Sequence, residues 1–266
     1  MTAAVHRFTP SAAAFPERSQ PIRTPSGIGN PLDPSRRIRA VVFDLDGTLY
    51  DQRRMRALMA VELVTLAFRH PLRAPRNWHA LGAYRKAQET VRSKALGAAA
   101  AAQLEIAAQR TGLMPAVIEQ IVDEWMFERP LKHLPKCRAV GLFELLAFLG
   151  TRGVELGVLS DYPADAKLRA LGLAGRFSQV LCSSDPEIGV LKPHPRGFLT
   201  ACERWQIDPG DVLVVGDRFD VDAAGAAAAG MPCVIIGRQS RAASNNSGSL
   251  VLPSLERLRY VLDESC

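Results

Sequence analysis

The chain lacks several features that would place a protein in a specialised class. Its five cysteines (Cys137, Cys182, Cys202, Cys233 and Cys266) are scattered and odd in number, and no two form a CxxC pair. That argues against a disulfide framework and a zinc site. Reduced thiols in a cytoplasmic setting are the expectation, with Cys182 and Cys233 buried as small hydrophobes. No apolar run approaches the roughly 20 residues that span a bilayer, and the richest stretch, 140–149, carries Glu144 and reads as a core helix. A membrane protein is not expected. Aromatic residues make up only 6% of the chain. The basic N-terminal stretch has Phe8 and Phe15 but no interleaved aromatic platform, so nucleic-acid binding is not expected either.

What remains is the composition of a soluble globular enzyme, 47% hydrophobic and 23% charged over 266 residues, enough for one domain or two. The net charge of +6 is unevenly spread. Residues 52–135 hold thirteen Lys/Arg against seven Asp/Glu, whereas 41–51 and 136–266 together hold fourteen against eighteen. A basic middle segment suits an anionic substrate, or else is a solvated helical surface.

Residues 1–38 contain six prolines and no sustained periodicity, and read as a disordered or loosely draped tail. An abrupt apolar strand follows from Arg39. Residues 52–135 read as almost wholly helical, with Met55, Leu58, Met59, Leu63 and Leu66 at spacings of three and four. After Pro135 helices and strands alternate, with strands over 154–159, 179–182, 212–215 and 233–236. The pattern predicts a doubly wound parallel α/β sheet. About 85 residues separate its first strand from the second, roughly three times a βαβ unit. The domain organisation expected is therefore a tail (1–38), a core (39–51 and 136–266) and an all-helical cap inserted at 52–135.

Chemistry gathers at the predicted strand ends, where open α/β sheets bind ligands. The first strand runs into Asp44-Leu45-Asp46-Gly47-Thr48. With a side-chain period of two, Asp44 and Asp46 leave the strand on one side. Two such carboxylates need a cation or a shared proton, so the pair is a metal site, an acid/base pair or both. The second strand ends Leu159-Ser160-Asp161, and a later one ends Gly216-Asp217, followed by Arg218, Asp220 and Asp222. Between them Lys192 stands just ahead of a helix.

In order and spacing these four stretches resemble the haloacid dehalogenase superfamily, in its capped, phosphatase-like branch. The resemblance covers roughly residues 39–240. It implies a Rossmann-like core and a Mg2+-dependent phosphomonoester hydrolase acting on a small phosphorylated metabolite. Asp44 would be the nucleophile that becomes an aspartyl phosphate, and Asp46 the acid and then the base. Thr48, Ser160 and Lys192 would hold the phosphate. Asp44, Asp46 (through its carbonyl) and Asp217 would bind Mg2+, with Asp222 orienting Lys192 or a metal-bound water. Ser160-Asp161 departs from the Ser/Thr-Asn most often found there, adding a negative charge that a basic cap residue could offset. Superfamily dehalogenases lack the second aspartate, so Asp46 disfavours dehalogenation. A phosphomutase and a catalytically silent phosphate- or metal-binding regulator remain as alternatives. Arg218 is expected to pair with Asp220 or Asp222, with Asp220 equally eligible as a helix cap. Trp78 and Trp125 are expected in the cap's core, and one of Arg53, Arg54 and Arg56 at the site.

Overall fold

The computed structural model describes residues 31–32, 37–71, 73–237 and 248–264. Six parallel strands make one sheet among these residues: β1 (Ala40–Phe43), β2 (Glu155–Ser160), β3 (Gln179–Cys182), β4 (Val212–Gly216), β5 (Cys233–Ile236) and β6 (Leu250–Leu252). Their spatial order is β3-β2-β1-β4-β5-β6. The chain winds outward in both directions from β1, the doubly wound arrangement in which a crevice opens above the central strands. β1 is buried along its whole length and pairs with β2 (Val42 opposite Gly157) and β4 (Val42 opposite Val214). The final strand, β6, is an addition to the sequence-based expectation. It is only three residues long and half-buried, too short for an apolar pattern to announce it.

The helices, in chain order, are α1 (Gln52–Arg69), α2 (Arg73–Ser93), α3 (Ala99–Thr111), α4 (Pro115–Val122), α5 (Leu134–Cys137), α6 (Leu142–Thr151), α7 (Asp165–Leu171), α8 (Arg196–Trp205), α9 (Ala224–Ala228) and α10 (Leu255–Glu264). β1 sends Val41 and Phe43 to one face, where they pack with residues of α6, α7 and α10, and Ala40 and Val42 to the other, where they meet α8 and its neighbours. This alternation fills both layers of the core.

The first four helices form a separate apolar cluster around Ala80, Tyr84, Ile118 and Trp125. The chain enters this helical insertion and leaves it at one place, where two backbone hydrogen bonds, Asp51 N–H to Cys137 C=O (2.7 Å) and Ala139 N–H to Leu49 C=O (3.1 Å), hold the linkers side by side. Asp51 also caps α1, accepting from the N–H groups of Arg53 and Arg54. Within the stretch expected to be almost wholly helical, α4 is α-helical only as far as Val122, after which Asp123–Glu128 is a π-helix. Most of the tail predicted to be disordered lies outside the described residues. Within it Leu32 is buried in the core beside the sheet. Cys137, Cys182, Cys202 and Cys233 are buried free thiols, and Cys266 lies outside the described residues.

Candidate active site

Asp44 extends β1 by one step, its N–H bonded to the Val215 carbonyl at 2.8 Å. The chain then turns through Gly47 at φ +109°, which an L side chain resists. Space is as restrictive as the dihedral, because a Cβ at Gly47 would lie 2.1 Å from Asp217 Oδ2. Glycine thus allows the β4 loop to approach the β1 loop. Behind the turn, Thr48 is buried and donates to Asp44 Oδ2 (3.2 Å). Asp46 faces α7, where the buried Lys167 gives both its oxygens an ammonium at 2.6 and 2.9 Å. The Tyr50 hydroxyl donates to Asp46 Oδ1 as well.

Lys192 is buried and reaches Asp44 Oδ1 at 2.5 Å and Asp222 Oδ1 at 2.8 Å. The other Asp222 oxygen accepts the backbone N–H groups of Asp217 and Arg218 (3.2 and 3.1 Å). A π-turn over Phe219–Ala223 brings Asp222 back to these groups, with both its own N–H and that of Ala223 on the Arg218 carbonyl. At the end of β2, Ser160 is buried and its Oγ accepts from Tyr162 N–H (3.2 Å). Asp161 is tied on both sides. One oxygen accepts the Lys192 N–H (3.2 Å), and the other meets the guanidinium of Arg92 from cap helix α2 at 2.6 Å. Arg92 Nε also donates to the Lys192 carbonyl (2.9 Å).

These groups surround a cavity of about 770 Å³ between core and insertion, lined by Asp44, Asp46, Lys167, Lys192 and Asp217 below and by residues of α1 and α2 above. A family model of haloacid dehalogenase-like hydrolases matches residues 38–230. The chain belongs to this family. A glyceraldehyde 3-phosphate phosphatase of Methanopyrus kandleri is 28% identical over 238 residues, 85% of this chain and 96% of that one. A phosphoglycolate phosphatase of Shigella boydii is 32% identical over 215 residues, 74% and 80% of the two chains. The crystal structure of a 2-haloacid dehalogenase from Pseudomonas syringae pv. tomato superposes with a TM-score of 0.60 at 25% identity, covering 86% of this chain and all of that one.

This haloacid dehalogenase-like site holds its two aspartates in opposite electrostatic settings. Burial pushes Asp44 well above the usual carboxylate range, and the negative charges of Asp222 and Asp217 add to it against the pull of Lys192. Burial also acts on Asp46, but Lys167 and Tyr50 outweigh it and hold that carboxyl below its ordinary value. Asp217 is pushed up to about 6, by burial and then by Asp222. Lys192 is held above the ordinary lysine range because Asp222 and Asp44 overcome the effect of its burial.

The family implies Mg2+, and the donor set fits it. Oxygen atoms of Asp44, Asp217 and Asp222 lie within 4.8 Å of one another, a hard all-oxygen set suited to Mg2+. Charge points the same way: Asp46 is matched by Lys167 and Asp161 by Arg92. Lys192 alone then faces three carboxylates. Asp222 spends both oxygens on Lys192 and the backbone, so Asp217 has the freest carboxylate of the three.

All seven of the predicted site residues lie at the ends of β1, β2 and β4 or on the Lys192 loop. Thr48 and Ser160, however, do not line the cavity: their hydroxyls are engaged with Asp44 and the Tyr162 N–H. Trp78 is 67% exposed and lines the cavity, which corrects its assignment to the cap core. Helix α2 turns Asn77, Ala80, Leu81, Tyr84 and Ala87 inward, and Trp78 falls at the edge of that stripe, toward the cavity. Trp125 is buried as expected. Asp220 pairs with Arg218 at 2.5 Å and caps nothing. Of the three arginines at the hinge, Arg56 lines the cavity. Lys167, Tyr50 and Arg92 were missed by sequence reasoning. The face of α2 that carries Trp78, Arg85, Glu89 and Arg92 at helical spacing was the available signal for Arg92.

Proposed function

We propose that the chain is a Mg2+-dependent phosphomonoester hydrolase that acts on a small phosphorylated metabolite through an aspartyl phosphate on Asp44. The observation that carries this reading is the pair of aspartates in opposed environments at the floor of one capped cavity, a nucleophile beside Lys192 and an acid/base beside Lys167 and Tyr50. Lys192 and a cation bound beside it favour the ionised Asp44 that attacks, and a phosphate dianion arriving beside Asp46 favours its protonated form.

In the first step an Asp44 oxygen attacks phosphorus and the P–O bond to the alcohol breaks. The departing alkoxide takes its proton from Asp46, whose proton affinity rises as the phosphate dianion arrives beside it. In the second step Asp46 removes a proton from water, the water oxygen attacks phosphorus, and the Asp44–phosphorus bond breaks to release phosphate, leaving Asp44 as a carboxylate and Asp46 protonated for the next cycle. Lys192 offsets the charge between nucleophile and phosphate throughout. Thr48 keeps Asp44 oriented, and Asp222 keeps Lys192 in place. Asp44 and Asp217 would hold Mg2+ together with the Asp46 carbonyl, and the ion would neutralise charge on the transferring phosphoryl group. The cavity of about 770 Å³ beneath the helical insertion suits a small ester and not a phosphoprotein. The named activities of the matched relatives, on glyceraldehyde 3-phosphate and phosphoglycolate, support the same substrate scale.

The test is phosphate release from a panel of small phosphate esters, with Mg2+ or EDTA, by wild type and Asp44→Asn. Release that requires Mg2+ and falls by about 10³-fold or more in the variant is the expected result. Turnover that survives Asp44→Asn would remove the covalent mechanism, and folded protein silent on every ester would remove the hydrolase reading.

A further inference from the structure

Seven cationic side chains line the cavity, and their pairing divides them into two groups. Lys192, Lys167, Arg92 and Arg218 each meet at least one carboxylate. Among the described residues, Arg56, Arg85 and Lys86 meet none. Arg56 donates to the neutral Gln52 Oε1 (2.7 Å), and among the described residues neither a hydrogen bond nor an ion pair engages the Arg85 guanidinium.

Arg56 and Arg85 stand on different helices, α1 and α2, yet are near enough to repel. Burial and then the Arg56 charge hold Arg85 below its ordinary arginine range. Arg56 in turn lies close enough to Tyr50 to act on its phenol, and Tyr50 is bonded to Asp46. On its other side Arg85 senses Tyr162, two residues beyond Ser160. Both arginines are exposed and line the same cavity as Asp44, Asp46 and Lys192, two like charges to which an anion bound in the cavity would offer a partner. Apolar side chains of Met59, Leu63 and Trp78 line the same wall and offer contact for a carbon skeleton.

We propose that Arg56 and Arg85 form a second anion site in the cap wall, selecting phosphate monoesters that carry a further anionic group, a carboxylate or a second phosphate, away from the scissile ester. The site deepens the phosphatase reading above and rests on it. Planar guanidiniums suit either anion through paired N–H donors.

The experiment compares kcat/KM within matched pairs. One pair is 3-phosphoglycerate against glyceraldehyde 3-phosphate, which differ as carboxylate and aldehyde. The other is a sugar bisphosphate against its monophosphate. Wild type is expected to favour the anionic member of one pair by about tenfold to a hundredfold, the range for hydrogen bonds to a charged group. The pair that shows the preference identifies the anion. Arg85→Ala and Arg56→Ala are each expected to bring that ratio down at least several-fold, chiefly through KM. A wild-type ratio near one in both pairs, or a ratio kept by both variants, overturns the proposal. If no ester is turned over, the hydrolase reading has failed separately, and calorimetric binding of the same pairs to wild type and Arg85→Ala decides the site. Weaker binding of the anionic member to the variant supports it, and equal binding overturns it.

Discussion

Lys167 contributes an ammonium to Asp46 across 121 residues of sequence, and nothing local in its helix marks it out. Asp44, Asp46, Ser160 and Asp217 stood out as candidates because each lies at or just past a strand end whose apolar run can be read from neighbours. Lys167 did not, because its partner is fixed only when α7 packs beside β1. Its removal has a defined sign. In Lys167→Met, Asp46 keeps its burial and loses its main stabilising charge, so its pKa rises. The step that needs the Asp46 carboxylate then fails at higher pH, and the acid limb of the kcat profile moves upward. A limb that stays in place would show that Lys167 does not set the Asp46 proton. At Gly47, alanine must either displace Asp217 from 2.1 Å or change a φ of +109°. Gly47→Ala is expected to raise the Mg2+ needed for half-maximal activity at least tenfold, and a titration that overlays wild type would refute this.

At the scale of elements, helix α2 divides its faces between two tasks. Asn77, Ala80, Tyr84, Ala87 and Val91 pack inward, while Trp78, Arg85, Glu89 and Arg92 face the cavity. The apolar repeat made the helix legible, but the polar face looked like ordinary solvated surface until the insertion was folded back onto the core. The π-turns at 123–128 and 219–223 were likewise invisible to a 3.6-residue period. The consequence of the α2 face is an ion pair between cap and core, Arg92 with Asp161, with side chains only 7% and 10% exposed. Arg92→Ala strands a buried carboxylate beside the Lys192 N–H and is expected to cost about 3 kcal/mol. Asp161→Asn in the same chain removes that charge and keeps the acceptor for Lys192, so it should restore a large part of the loss. A double-mutant cycle read by urea midpoint checks this. Strictly additive single effects would mean that the pair does not join the two parts.

For the whole molecule, the alternation of strands and helices made the doubly wound sheet legible, and the 85-residue gap pointed to a helical insertion. The charge balance of the assembled site was not legible, because it depends on which carboxylates have partners. Lys192 alone against Asp44, Asp217 and Asp222 leaves an excess of acidic groups in a partly buried place. Without a divalent ion this opposes folding, and pH should reveal it. Asp217 has a folded pKa of about 6, above the ordinary carboxylate value of about 4. Between those values the folded state binds the extra proton, so metal-free protein gains stability as pH falls from 7.5 toward 5. Bound Mg2+ needs the ionised carboxylate and stabilises by mass action, so its benefit is greatest at 7.5 and fades on acidification. Melting curves in EDTA and in saturating Mg2+ at both pH values measure this, at about 2–4 °C per kcal/mol for a protein near this size. The expected outcome is a Tm in EDTA that is higher at pH 5 than at 7.5, and a Mg2+ increment that shrinks in the same direction. A Mg2+ increment equal at both pH values would mean that the ion does not bind through Asp217, and the assignment of the metal to the Asp44–Asp217 pair would fall with it.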